Sequence, residues 1–179
     1  MFCILPLFCC PNRLAVFHVL EIQNRKIDGL ISARLKTVTN AREQAHLRSL
    51  TGKVAIANAK LTYQRYRELF GSQRWQALAD QGAQTQRLLW ASTGTKDPNY
   101  RDVIYVEELI GPATVNTIPP ATLEAFRDHG RPRASLTEDV DGAFDTMATL
   151  AETGISMKDV TDKLLVQGVQ LFSDAFDKL

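Results

Sequence analysis

A continuous apolar run, Leu88-Leu89-Trp90-Ala91, breaks abruptly into Ser-Thr-Gly-Thr-Lys-Asp-Pro. An uninterrupted apolar segment bounded by polar and glycine-rich sequence reads as a strand buried on both faces, and such strands belong to parallel sheets. A second short strand is predicted at Thr114-Val115-Asn116-Thr117, after the Gly111-Pro112 break. Long helical patterns precede, separate and follow the two. Parallel strands linked by helical crossovers define an α/β architecture. Two or three strands cannot cover both faces of a parallel sheet, so this pattern describes part of a larger closed structure.

The helical stretches carry their own start and stop signals. Ile27, Leu30, Ile31, Leu35 and Val38 recur at helical spacing. Asn40 followed by Glu43 reads as a capping box for a helix to about Leu50, ended by Gly52. Residues 52–70 form a long predicted helix with Val54, Ala57, Leu61 and Leu69 toward one face, and Ala55, Ala57 and Ala59 allow close packing. Ser72 caps a short helix before Gly82. Val103 to Ile110 is a short amphipathic segment. Pro119-Pro120 opens a helix through Phe126, closed by Gly130. Thr137 is expected to open a helix ending near Gly154. Ser156 and Asp159 open the last one, whose apolar stripe is Val160, Leu164, Leu165, Val169, Phe172 and Phe176.

The first 22 residues differ from the rest. They hold all three cysteines, Cys3, Cys9 and Cys10, and only Arg13 and Glu21 as charges. Pro6, Pro11, Asn12 and Arg13 interrupt the apolar residues, so no run reaches the ~18 that a membrane span requires. No basic region precedes it as in a secretory signal. The cysteines lack metal-ligand spacing. Leu14 to Leu20 is compatible with a buried strand or a helical turn. The domain reading is therefore a divergent apolar segment, 1–22, and a main body, 23–179. Lysine and arginine total 21 against 20 acidic residues, which leaves no overall field to attract nucleic acid or an anionic membrane.

Most chemical candidates read as structural. His18, His46 and His129 are far apart. Glu107-Glu108 diverge on a helix and suit a helix-face role. STGTK lacks the P-loop frame. Trp75 and Trp90 suit packing, and Arg127, Arg131 and Arg133 make only a small positive patch. Lys26, Lys36, Lys53, Lys60, Lys158, Lys163 and Lys178 lie on amphipathic helices, where a solvated charge is expected.

Three blocks, GKVAIANAKLTYQRY, RWQALADQ through AFRDHGRP, and DVTDKLLVQGVQLFSDAFDKL, resemble the carboxy-terminal portion of transaldolase in its longer bacterial and plant-type branch. The likeness covers roughly residues 24–179. It implies the C-terminal part of a (β/α)8 TIM barrel, helix-rich, with about two parallel strands retained. It also implies the family reaction of the pentose phosphate pathway. A dihydroxyacetone unit passes from sedoheptulose 7-phosphate to glyceraldehyde 3-phosphate through a lysine Schiff base, with no metal and no organic cofactor.

By this resemblance LLWAS is the seventh barrel strand and TVNTIP the eighth, and barrels often bind phosphate in the loops that follow these strands. Ser92 and Lys96 are the implied phosphate contacts; Asn116 and Thr117 are further substrate candidates. The family reads Thr-Lys-Asn-Pro where this chain has Lys96-Asp97-Pro98, and the added carboxylate disfavours an anion.

The family's Schiff-base block, Ile-Lys-Ile-Pro-Ala-Thr, has no counterpart in this sequence, nor do its first-strand and fifth-strand blocks. Near Lys26 the chain reads EIQNRKIDGL where the family has a block ending near Ser-Arg-Ile-Asp. No catalytic residue is therefore assigned. Lys96 is the one lysine after an apolar strand, and its Schiff-base use is secondary to phosphate contact. The expectation is a truncated, cytoplasmic transaldolase-like chain, with a plastid as the alternative in a photosynthetic eukaryote. It is expected to lack activity by itself and to self-associate through exposed apolar faces. The alternatives are a non-catalytic helical interaction module and a non-functional pseudogene product.

Overall fold

Three short strands, β1 (Val16–Val19), β2 (Leu88–Ala91) and β3 (Thr114–Asn116), run parallel in the order β1-β2-β3. The computed structural model describes residues 16–178, and for Val16–Val19 only the backbone. The cysteines and the rest of the apolar start therefore lie outside the described residues, as does the His18 side chain. Both predicted strands form. The ambiguous segment 14–20 supplies a third through Val16–Val19, which pairs residue for residue with Leu88–Ala91. β2 continues the register into β3 through Leu88↔Thr114 and Trp90↔Asn116.

Four helices connect β1 to β2: α1 (Leu20–Leu35), α2 (Ala41–Leu50), α3 (Val54–Phe70) and α4 (Gln73–Ala79). The single turn α5 (Ile104–Glu107) connects β2 to β3. After β3 come α6 (Pro120–His129), a 3-10 turn at Ser135–Thr137, α7 (Val140–Glu152) and α8 (Met157–Phe176). Spatial strand order follows chain order, the winding of a barrel segment. Helix α1 runs unbroken across the compositional division at residues 22 and 23.

Alternation along β2 sets the layers. Leu88 and Trp90 are buried toward the helices, whereas Leu89 and Ala91 are half-buried on the opposite face. Leu88 and Trp90 join Leu20, Ala55, Ala59, Tyr63, Tyr66, Tyr105, Leu109 and Leu136 in one core. Ala55 and Ala59, four residues apart, put one small-residue face of α3 into this core. Ala57 and Leu61 turn instead toward Ala143 of α7. A second core, remote from the sheet, gathers Ile27, Ile31, Leu47, Leu50, Val54, Leu150, Ile155 and Val160. Each such aliphatic side chain contributes about 1.5–3 kcal/mol on burial.

Local signals operate with three revisions. The Asn40 side chain accepts from the Arg42 and Glu43 N–H groups, opening α2 as its sequence requires. The reciprocal half of the capping box is absent, because the Glu43 carboxylate accepts from Arg34 Nε at 3.1 Å. Thr137 does not open α7: Asp139, at φ 49, caps it through Gly142 N–H, and Thr137 ends the 3-10 turn. Leu69, in the last turn of α3, is 42% exposed rather than core.

Lys60 departs furthest from expectation. It is 7% exposed; its ammonium donates to Glu108 Oε2 at 3.3 Å and to the Glu138 carbonyl at 3.2 Å. A lysine on an otherwise apolar helix face is buried here because two acceptors from distant segments converge on it. The α8 stripe behaves oppositely. Val160 is buried, but Val169, Phe172 and Phe176 are 61%, 82% and 75% exposed.

Candidate functional site

The carboxyl ends of β2 and β3 bring together two loops, 92–103 and 117–119, and all four residues singled out from the sequence lie there. Ser92 follows the last residue of β2 at φ 54, a left-handed conformation uncommon outside glycine. Its carbonyl accepts the Glu21 N–H at 3.2 Å, which ties this turn to the start of α1. Thr93 is fully buried and donates from its hydroxyl to Asn116 Oδ1 at 2.8 Å. Asn116, the last residue of β3, is half-buried. With its oxygen held by Thr93, its amide nitrogen is the group left to serve as a donor.

Thr117 plays a different role. Its N–H and its hydroxyl both donate to the Trp90 carbonyl, at 3.0 and 3.3 Å. It extends the β2–β3 ladder by one residue, so its side chain is committed to the backbone. Lys96 is exposed four residues beyond Ser92, with no hydrogen bond or ion pair among the described residues.

The loops are also packed together. A Cβ built on Gly94 would meet Thr122 Oγ1 at 2.9 Å and Pro119 Cγ at 3.2 Å. Glycine at 94 thus allows the 92–96 turn to lie against the first turn of α6. No side chain caps α6 at Pro119, and a helix amino terminus presents partial positive charge. Asp97, the departure from the family motif, accepts at Oδ1 from Asn99 N–H and Nδ2, at 2.9 and 2.8 Å. It organises the turn after Lys96.

Two residues with no sequence signal complete the site. Tyr100 donates to Asp28 Oδ2 at 2.8 Å, and Asp28 Oδ1 accepts Gly52 N–H at 3.1 Å. Burial raises the Asp28 carboxyl above its usual range. Tyr100 is also raised, first by burial and then by the bond to Asp28. The pair joins residues 72 positions apart, a relationship that local pattern cannot convey.

The remaining charged residues form structural pairs beside the site. Glu107, read from the sequence in a helix-face role, is buried; Arg101 grips it with Nε and Nη2 at 3.0 Å each, and Arg131 N–H donates at 2.8 Å. Burial pushes the Glu107 carboxyl up, but these donors carry it below its usual value. Arg133 bonds both Glu108 and Glu138, and Arg127 pairs with Glu124, so acids offset two of the three arginines of the expected patch. His129 Nε2 lies 2.8 Å from Asp102 Oδ1, and Nδ1 lies 3.1 Å from Asp128 Oδ2. These hydrogen bonds raise the imidazole pKa and lower that of Asp102.

Trp90 is fully buried, and Trp75 packs edge-on against Phe70 at 4.6 Å, both as packing residues. A pocket of about 300 Å³ lined by Tyr66, Phe70, Trp75 and Leu88 lies at the opposite, amino-terminal end of β2. Among the described residues no group of three or more His, Cys, Asp or Glu is arranged to hold a metal, and no helix is long and apolar enough to cross a membrane.

Comparison with known proteins agrees with this architecture. Residues 29–179 match the family Transaldolase/Fructose-6-phosphate aldolase. "Transaldolase 2" of Nostoc punctiforme is 49% identical over 167 residues, covering 92% of this chain and 44% of the relative. The "Transaldolase" of Trichodesmium erythraeum is 46% identical over 155 residues, covering 86% and 41%. A "Transaldolase" of Neisseria meningitidis is 49% identical over 130 residues, covering 73% and 37%. The chain thus spans about two fifths of the length of these relatives. Its parallel strands with helical crossovers are part of a (β/α) barrel, and the chain belongs to the transaldolase/fructose-6-phosphate aldolase family.

Proposed function

We propose that this chain carries the sugar-phosphate-binding part of a transaldolase barrel, with the partial barrel domain of residues 23–179 preceded by the β1 strand at Val16–Val19. The observation that supports this most is the joined pair of loops at the carboxyl ends of adjacent parallel strands, the end where such barrels do chemistry. Lys96 supplies an uncommitted ammonium, Ser92 a half-buried hydroxyl and Asn116 an amide nitrogen left available because Thr93 holds its oxygen. These are donors suited to phosphate and sugar oxygens. Thr117 contributes by holding the strand ends in register. Pairing of Arg127 and Arg133 with acids argues against a nucleic-acid surface.

The reaction in which such a site would participate is dihydroxyacetone transfer from sedoheptulose 7-phosphate to glyceraldehyde 3-phosphate in the pentose phosphate pathway. A Schiff base requires a partly deprotonated amine in a dry or cation-rich pocket. Lys60 is buried but ion-paired, and Lys96 is exposed, so neither amine sits in such a pocket. We therefore assign this chain no Schiff-base residue and expect no ketol transfer from it by itself. A cytoplasmic setting suits sugar-phosphate chemistry.

Titration with fructose 6-phosphate tests the binding site: affinity should be measurable and should fall at least tenfold in Lys96→Ala, as expected for loss of a charge-assisted contact. Equal affinity in the two chains would refute the assignment. Borohydride reduction in the presence of fructose 6-phosphate should leave the mass unchanged, and an adduct would overturn the absence of a Schiff-base residue.

The exposed α8 face supports a second reading, self-association. Leu165, Val169, Phe172 and Phe176 repeat at spacings of 4, 3 and 4 and are all more than 40% exposed. That spacing suits helix-to-helix contact. An apolar surface of this kind favours association over free solvation.

A further inference from the structure

We propose that Asp28 and Tyr100 latch the loop carrying Lys96, acting as positioning residues for it; their effect on phosphate binding rests on the reading of that loop given above. One carboxylate gathers three segments. Asp28 Oδ2 accepts from Tyr100 Oη at 2.8 Å and from Asn24 Nδ2 at 2.6 Å, and Oδ1 accepts Gly52 N–H at 3.1 Å. Helix α1, the α2–α3 turn and the 92–103 loop therefore meet at one side chain.

Gly52 makes this meeting sterically possible. At φ +76 it adopts a left-handed turn that glycine accommodates readily, and a Cβ there would stand 2.6 Å from Tyr100 Cε1 and 3.0 Å from Cζ. The phenol ring is laid directly on the backbone of the turn. The 2.8 Å bond then sets how far the ring can slide.

Lys96 lies between two anchors. On one side Thr93 is buried and bonded to Asn116; on the other Tyr100 is bonded to Asp28. Short internal bonds fill the gap after Lys96: Tyr100 N–H donates to the Asp97 carbonyl at 3.2 Å, and Asn99 N–H to Asp97 Oδ1 at 2.9 Å. With both ends tied, the ammonium has a restricted range of positions, and binding an anion there requires less ordering.

The cost of keeping Asp28 supports a role beyond helix packing. It pairs with no Lys or Arg among the described residues, and its environment disfavours its charge. A carboxylate in that setting is retained where its acceptor capacity is needed. Here that capacity joins the loop to the turn.

Limited trypsin digestion of the full chain reads the latch without any ligand. In Tyr100→Phe, cleavage after Lys96 should accelerate about fivefold relative to cleavage after Arg127 in α6, because one anchor of the loop is gone. Asp28→Asn, which keeps an acceptor for Gly52 but replaces the oxygen that accepts from the phenol with an amide nitrogen, should fall between the two chains and serves where Tyr100→Phe does not fold. An unchanged ratio, or equal acceleration at both sites, overturns the latch.

Fructose 6-phosphate titration supplies the second arm. Affinity should fall about fivefold in Tyr100→Phe, with no further fall when that change is added to Lys96→Ala. Additive losses would overturn positioning through Lys96. If Lys96→Ala leaves affinity unchanged, the phosphate reading fails while the digestion ratio still decides the latch.

Discussion

The Thr93 hydroxyl donates to the Asn116 carboxamide oxygen across 2.8 Å, joining the loop after β2 to the end of β3. Thr93 is fully buried, so its removal cannot be repaired by solvent from its own side. Thr93→Val keeps the shape and deletes the donor. Stability should fall by about 1–3 kcal/mol through the unsatisfied Asn116 oxygen, and Thr93→Ser should recover most of it. Urea denaturation of the three chains measures this.

Lys60 links α3 to Glu108 beside α5 and to the Glu138 carbonyl before α7. Lys60→Ala removes one partner of a largely buried pair and also leaves a void. A loss of about 3 kcal/mol is expected, and Lys60→Met should cost less because it restores apolar volume without a charge. If Met is as damaging as Ala in the same assay, the ammonium rather than the packing supplies the stability.

Gly52→Ala combines a left-handed backbone with a close approach to Tyr100. The left-handed conformation alone costs a non-glycine residue about 1–2 kcal/mol, and the ring must also shift. The expected loss exceeds that of the Tyr100→Phe, Gly52→Ala pair measured against Tyr100→Phe, since the freed ring can move aside. Thermal melts of the four chains test this coupling.

His129 should report pH through its carboxylate partners. Its folded pKa is raised above its unfolded value, chiefly by the hydrogen bonds to Asp102 and Asp128. The sign follows: its stabilising contribution is present below the unfolded value of about 6.5 and is lost as pH rises through the folded value. Asp102→Asn should lower the His129 pKa in an NMR titration and flatten the melting-temperature change over that window. An unmoved imidazole pKa would remove Asp102 as the cause.

The outward face of α8 predicts concentration-dependent association. Val169→Lys with Phe172→Lys should shift sedimentation toward the monomer and leave the melting temperature nearly unchanged, because both side chains are already more than 60% exposed. A monomeric unaltered chain would remove self-association as a role for this face.

Elements with local causes were legible in the sequence. Apolar content places β2, Asn40, Ser72 and Ser156 open their helices through their own side chains, and Gly52 ends the α2 turn at positive φ. These depend on residues within a few positions of each other. The family blocks add the strand order, because they occur in sequence order and the parallel winding preserves it.

Tertiary structure decided whatever depends on distant partners. Lys60 looks like any solvated helical lysine until Glu108 and Glu138 arrive from segments that are far off in sequence. Residues 16–19 are equally apolar as helix or strand; pairing with Leu88–Ala91 selects strand. Thr117 and Asn116 are neighbours with similar chemistry, yet the Trp90 carbonyl commits one to the backbone and Thr93 orients the other. Tyr100 gains its place from Asp28, 72 residues earlier. Sequence determined where the chain turns, coils and extends, because those preferences are written in φ, ψ and side-chain periodicity. Which polar groups are free to meet a ligand was decided only when burial and hydrogen bonding had committed the others.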